Sequence, residues 1–103
     1  MVSRGDVWWA ELPDVGRRPV CVLTRQHAIP VLARVLVAPV TETVRGIPTE
    51  VFLDQADGME AQCVISLDNV RAVPKSYLSE RITGLSPAKL RELCVALRRA
   101  TGC

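Results

Sequence analysis

The sequence predicts a mainly β single domain closed by one C-terminal helix, its strands forming a small, strongly curved antiparallel sheet or barrel. Three observations lead there. Short apolar, β-branched runs recur between Val7 and Ile82, separated by Gly, Pro and Asp turn signals. Helical periodicity appears at the end, where Leu90, Leu93, Cys94 and Leu97 follow i, i+3, i+4, i+7 spacing. Finally, 103 residues with 49% hydrophobic and 23% charged content suit one core without staples. No linker, repeat or low-complexity segment divides the chain.

Arg4-Gly5-Asp6 is turn chemistry, and the first strand follows at Val7-Trp8-Trp9-Ala10-Glu11-Leu12. Alternation puts Val7, Trp9 and Glu11 on one face and Trp8, Ala10 and Leu12 on the other. One tryptophan is therefore expected to anchor the core while its neighbour reaches an interface or groove. Pro13-Asp14-Val15-Gly16 connects to a second strand over 18–24, with Pro19 expected at its first position because proline cannot donate to a sheet ladder. Residues 25–30 read as a loop, with His27 on its surface.

The most hydrophobic segment, 31–40, contains a central strand through Val35, Leu36, Val37, Ala38 and Val40. Pro39 near its end predicts a bulge or edge that re-aims Thr41. A further strand spans Thr49-Glu50-Val51-Phe52-Leu53, followed by turn-rich 54–58. Residues 62–73 read as one long strand-like stretch, with a bend or bulge at Asp68-Asn69 and a stop at Pro74. A short turn over 75–79 leads to a last strand at 80–84. Ser86 then caps a helix with Pro87 at its first position, Arg98 and Arg99 in its last turn and Gly102 beyond. In all, roughly five to seven short strands precede one helix.

A formal charge of +2 is too small to mark a nucleic-acid binder by net charge, so any basic footprint must come from local clusters. Candidates are Arg17, Arg18, Arg25, Arg34 and Arg45, and a terminal group of Arg91, Arg98 and Arg99. Cys21, Cys63, Cys94 and Cys103 form no C-x-x-C pair, and His27 is the one histidine. They read as reduced thiols, the first three in the core, rather than as a metal site or disulfide framework. No export signal or membrane-spanning run is evident, so the expected location is cytoplasmic, with no membrane partner.

Gly16-Arg17-Arg18-Pro19-Val20-Cys21-Val22-Leu23 stands out chemically. Extended backbone before a proline sends the Arg17 and Arg18 side chains in roughly opposite directions from the sheet rim. A guanidinium held there is suited to clamping a phosphate.

Four segments in order, Arg4-Gly5-Asp6-Val7-Trp8, Arg18-Pro19-Val20-Cys21-Val22, Val37-Ala38-Pro39-Val40-Thr41 and Cys63-Val64-Ile65-Ser66-Leu67-Asp68-Asn69-Val70-Arg71, strongly resemble the MazF/PemK toxins. The resemblance runs over nearly the whole chain. It implies an SH3-like antiparallel barrel of the MazF/CcdB type and a homodimer. It also implies a cytoplasmic toxin of a toxin–antitoxin system that cleaves single-stranded RNA at specific sequences, without metal or other cofactor. The substrate would be mRNA, with rRNA or tRNA as further candidates, and a cognate antitoxin would cover the groove. Carried over by motif, the catalytic residues are Arg18 and Thr41, with Asp68 as the matching carboxylate. Arg17, Glu42, Arg45 and Asn69 are candidate RNA contacts. The loop at 13–17 is shorter than in many relatives, and Arg17 could replace contacts made there.

The residue types fit such chemistry. The 2′-OH of RNA can attack its own adjacent phosphorus, giving a 2′,3′-cyclic phosphate and a 5′-OH. Arg18 would stabilise charge on the phosphoryl oxygens, Thr41 would hold one of them, and Asp68 would act as base or orient Arg18. The alternative is a same-fold toxin that binds and poisons DNA gyrase without enzymatic activity. A third class is an RNA-binding module that has lost its chemistry.

Overall fold

The computed structural model describes residues 1–103. Its centre is a strand apolar on both faces. Along β3 (Arg34–Thr41), Val35, Val37, Ala38 and Val40 are all buried, which requires neighbours in front, behind and on both edges. β2 (Gly16–Val22) pairs with one edge through Val20↔Pro39, Cys21↔Ala38 and Val22↔Val37. The other edge is shared. β6 (Arg71–Pro74) covers Arg34 to Val37, and β5 (Cys63–Ser66) takes over at Val40 and Thr41. Pro39 lies where the partner changes from β6 to β5, so its missing N–H falls at the break in that edge. β1 (Asp6–Leu12), β4 (Glu50–Leu53) and β7 (Leu78–Gly84) complete the order β4-β5-β3-β2-β1-β7, and every strand pairing is antiparallel. The sheet curls into an open barrel.

Two apolar clusters follow from the two faces. Cys21, Leu23, Ala38, Val40, Val51, Leu53, Cys63 and Ile65 pack with Leu93 and Ala96 of helix α1 (Pro87–Thr101). On the opposite face, Ala10, Leu12, Val20, Val22, Val35, Val37, Val73 and Leu78 form the second. The period of two along β2 and β3 thus sorts even and odd positions into different cores.

The helix forms as its sequence predicts. Ser86 Oγ accepts the Lys89 N–H, Pro87 occupies the first turn, and Gly102 closes the end at φ 75°, a left-handed conformation that a side chain would strain. Arg98 and Arg99 lie in the last turn, where their charge complements the helix dipole. Leu93 on the inner face is 1% exposed, and truncating it to alanine is expected to cost roughly 2–5 kcal/mol.

Some expectations shift. Pro19 is the fourth residue of β2, paired with Trp9, not the first. It is tolerated because β2 acquires its β3 neighbour only from Val20, so one edge is still open at Pro19. Gly16 opens the strand at φ 85°, which closes the tight turn from Leu12. The central strand expected through Val35 to Val40 runs from Arg34 to Thr41. The stretch 62–73 is two strands, β5 and β6, with a 3-10 turn over Leu67–Asn69 at the expected bend. Both halves run along β3, so the turn acts as an enlarged bulge opposite Ala38 and Pro39.

Neither tryptophan is fully buried. Trp8 packs on the second cluster and donates from Nε1 to Asp6 Oδ2 at 3.1 Å. Asp6, itself buried, also accepts the Ser3 N–H at 2.9 Å and Arg81 Nε at 3.3 Å. The Arg4-Gly5-Asp6 turn is therefore held by a satisfied internal carboxylate. Cys21 and Cys63 are buried free thiols; burial pushes the Cys21 thiol up to about 12. No helix is long and apolar enough to cross a membrane.

Candidate active site

Carrying the β2–β3 register two steps past Val20↔Pro39 puts Arg18 opposite Thr41. Arg18 shares its face with Val20 and Val22, and Thr41 shares its face with Val35 and Val37, so both look toward the second cluster. At the rim of that face lies a groove of about 370 Å³ lined by Arg18, Pro39, Thr41, Asn69 and Arg71 over a floor of Leu12, Val20 and Val37. Residues from four strands and the 3-10 turn meet here. Two of the predicted catalytic residues and one predicted RNA contact belong to it.

The polar groups are arranged to receive an anion. Arg18 is exposed, and its Nη1 donates to the Arg17 carbonyl at 2.9 Å, bracing the guanidinium while its other donors stay free of protein partners. Thr41 Oγ1 accepts the Thr43 N–H at 3.2 Å, which leaves the hydroxyl proton for an acceptor in the groove. Asn69 Nδ2 donates to buried Ser66 Oγ at 2.9 Å, fixing the side chain of the bulge. Arg71 Nη1 contacts Asp14 at 3.1 and 3.4 Å. The Arg71 hydrogen bond holds the Asp14 carboxyl below its ordinary range.

Asp68 lies elsewhere. It is exposed, accepts from Thr49 Oγ1 at 2.6 Å, and lines a depression with Leu36, Val70, Cys94 and Leu97 beside the helix. It makes no ion pair with Arg18. Residues in a 3-10 turn do not alternate as strand residues do, so Asp68 and Asn69 leave in directions that strand logic does not anticipate.

Arg17 also leaves the groove. Its guanidinium lies 4.8 Å from the centre of the Trp9 ring and bridges Glu11 at 3.1 Å and Glu80 at 3.0 Å. Glu42 lines an apolar slot of about 150 Å³ on the Trp9 side, with Pro19, Met59 and Ile82. Thr41 borders both slot and groove. Arg45 is exposed in the loop before β4, where its backbone N–H donates to Glu50 at 3.1 Å.

A groove with an exposed arginine and a threonine on adjacent strands meets a consistent set of similarities. Residues 3–101 match the family model described as the PemK-like, MazF-like toxin of type II toxin-antitoxin systems. The chain belongs to this family. It is 43% identical over 102 residues to the probable endoribonuclease MazF5 of Mycobacterium tuberculosis, covering 98% of this chain and 94% of that protein. The probable endoribonuclease MazF2 of the same species is 41% identical, covering 99% and 100%. Among solved structures, the Mycobacterium tuberculosis toxin MazF-mt6 superposes with a TM-score of 0.87 at 36% identity, covering 94% of this chain and 96% of that one. A mycobacterial endoribonuclease in complex with its cognate antitoxin gives 0.89 at 25% identity, covering 99% and 96%. The MazF-like fold expected from the four motifs is thus the fold of this chain.

Arg71 is the groove residue that sequence reasoning missed as a site. It ends the Cys63–Arg71 segment, but nothing local distinguishes it from any exposed strand arginine. Its significance comes from β6 lying along the edge of β3 opposite to β2, which only the topology reveals.

Proposed function

We propose that this chain, an endoribonuclease toxin of a toxin–antitoxin system, cleaves single-stranded RNA by attack of the substrate's own 2′-OH in the Arg18–Thr41 groove. The observation that carries the reading is the convergence of Arg18 and Thr41 on one face of the β2–β3 pair, in a chain with endoribonuclease relatives. Those relatives favour a nuclease over the gyrase-binding alternative, which has no need of a phosphate clamp.

In this mechanism the scissile phosphate sits between Arg18 and Thr41. The 2′-oxygen passes its proton to solvent water as it bonds to phosphorus, the P–O5′ bond breaks, and the 5′-oxygen takes a proton from water as it leaves. The products are a 2′,3′-cyclic phosphate and a 5′-OH. Arg18 offsets charge growing on the non-bridging oxygens, and its bond to the Arg17 carbonyl reduces the reorganisation needed. Thr41 donates its hydroxyl proton to one of those oxygens and so aligns the phosphorus for in-line attack. Asn69 and Glu42 flank the site as RNA contacts, with Arg45 further along the strand's path. Asp68, tied to Thr49, holds the β5–β6 turn against the loop before β4 and takes no part in the proton transfer. Arg17 supports β1, β2 and β7 at the surface.

The toxin acts in the cytoplasm as a homodimer that a cognate antitoxin binds. The depression lined by Leu36, Val70, Leu97 and Ala100 supports the dimer, since Leu36 is 48% exposed on a mostly apolar patch. The test is incubation of chelator-treated protein with a mixed-sequence RNA, mapping the ends. Cuts bearing 5′-OH and cyclic phosphate, abolished by a single 2′-deoxy nucleotide at the cut, are expected. Cutting that persists at the deoxy position would rule out attack by the 2′-OH.

A further inference from the structure

Arg18 and Arg71 bracket β3. Val37 pairs with Val22 of β2 on one edge and with Arg71 of β6 on the other. Arg18 alternates with Val20 and Val22, and Arg71 alternates with Val73, all on the side of the second cluster. The two guanidiniums therefore rise from the same face, one on each side of Pro39 and Thr41, and both line the groove. Their backbones are two strand spacings, roughly 10 Å, apart across the sheet and, with Arg18 level with Thr41 and Arg71 with Val37, about 13 Å apart along it. Two long cations that far apart are suited to two phosphates of one strand, not to one phosphate held twice.

The two differ in what they touch. Arg18 leans on a neutral carbonyl, whereas Arg71 is occupied by a carboxylate from the β1–β2 turn. Both Asp14 oxygens lie on Arg71 Nη1, at 3.1 and 3.4 Å, leaving the remaining donors of the fork without a protein partner. The pair is open to water, with side chains 43% and 57% exposed, so it is weak and readily exchanged. A phosphodiester carries the same charge as the carboxylate and fits the guanidinium fork equally well. Val15, beside Asp14, lines the same groove, so movement of this turn changes access to it.

We propose that Arg71 is a second phosphate-binding residue of the groove, seating the phosphate next to the scissile one, and that Asp14 occupies it in the free protein until RNA displaces it. The proposal rests on the nuclease reading above and adds a subsite and a latch to it. Arg18 handles the reacting phosphate; Arg71 positions the strand.

The test is equilibrium binding of a fluorescent, fully 2′-O-methylated single-stranded RNA between about 50 and 200 mM salt, with cleavage kinetics on unmodified RNA. Arg71→Gln is expected to weaken binding about tenfold and reduce the salt slope by about 0.7, the loss of one single-strand phosphate contact. In cleavage it raises KM more than it lowers kcat, and Arg71→Lys recovers most of the slope. Asp14→Asn tightens binding several-fold in the wild-type background and changes nothing in the Arg71→Gln background. Thermal melts of each variant establish that it is folded. An unchanged slope and affinity in folded Arg71→Gln would overturn the proposal while leaving the nuclease reading intact. Weaker binding in Asp14→Asn would overturn the latch and make Asp14 an anchor for Arg71. If the wild-type protein neither binds nor cuts RNA, the nuclease reading fails, and the subsite fails with it.

Discussion

Arg17 and Arg18 are consecutive, identical in type and both exposed, yet the fold gives them opposite surroundings. Arg17 faces the Trp9 side, where Glu11, Glu80 and the indole ring occupy it. Arg18 faces the groove, where its only protein hydrogen bond goes to a backbone carbonyl. One residue of strand geometry separates a cation that is consumed by its own surface from one that is left for a ligand. Charge at a site is therefore less informative than whether the surrounding carboxylates have already neutralised it.

The sharpest way to break this comparison is to remove each arginine in turn. Arg18→Ala is expected to reduce RNA cleavage by roughly 10²- to 10³-fold, the scale for losing one principal donor to a developing oxyanion. Its thermal midpoint should stay near that of the wild type, because the side chain is exposed and makes one local bond. Single-turnover cleavage alongside a melt measures both, and cleavage at wild-type rate would take Arg18 out of the chemistry. Thr41→Val comes next. It keeps the branched shape that β3 favours and deletes the hydroxyl, so a loss of roughly tenfold to a hundredfold is expected. Because valine also leaves the Thr43 N–H without its acceptor, the serine variant is the companion measurement and should restore most of the rate.

Arg17→Ala should show the reverse pattern. Cleavage stays within about threefold, while stability falls by no more than about 1 kcal/mol, as befits exposed pairs and a surface cation–π contact. Urea unfolding checks the second figure. A cleavage defect on the scale of Arg18→Ala would mean that the Trp9 side also carries substrate.

The fold was largely legible from local rules, whereas the site was legible only in part. Helix α1 could be read end to end, because Ser86, Pro87, the Leu90–Leu97 periodicity and Gly102 are independent signals that agree. The division of 62–73 into β5 and β6 was visible only as a bend at Asp68-Asn69. Both halves have strand composition, and it is their shared partner β3 that makes them separate ladders. Arg18 and Thr41 were found through their motifs, and the β2–β3 register supplies the physical reason they meet. Arg71 and Asp14 were out of reach, since 57 residues separate them and neither has a local pattern that announces a role. Which tryptophan would face a groove or interface was not legible, and the cation that covers Trp9 comes from Arg17, a residue expected at the RNA.

The smallest effect is expected at Asp68, and it bears on the same contrast between neighbours. Asp68 and Asn69 are adjacent in the 3-10 turn, but Asn69 reaches the groove while Asp68 bonds Thr49 and faces the depression by the helix. Asp68→Asn keeps an oxygen to accept the Thr49 hydroxyl and removes only the charge and the ability to take a proton. If Asp68 serves the turn, cleavage stays within about twofold across pH and the melt is almost unchanged, the usual result for a surface substitution that spares its hydrogen bond. If it serves as the base for the 2′-OH, the same change should cost about 10²- to 10⁴-fold and alter the acidic limb of the pH–rate profile. A flat profile at nearly full rate is expected, because Asp68 is bonded to Thr49 and lines the helix-side depression, whereas Arg18 and Thr41 line the groove.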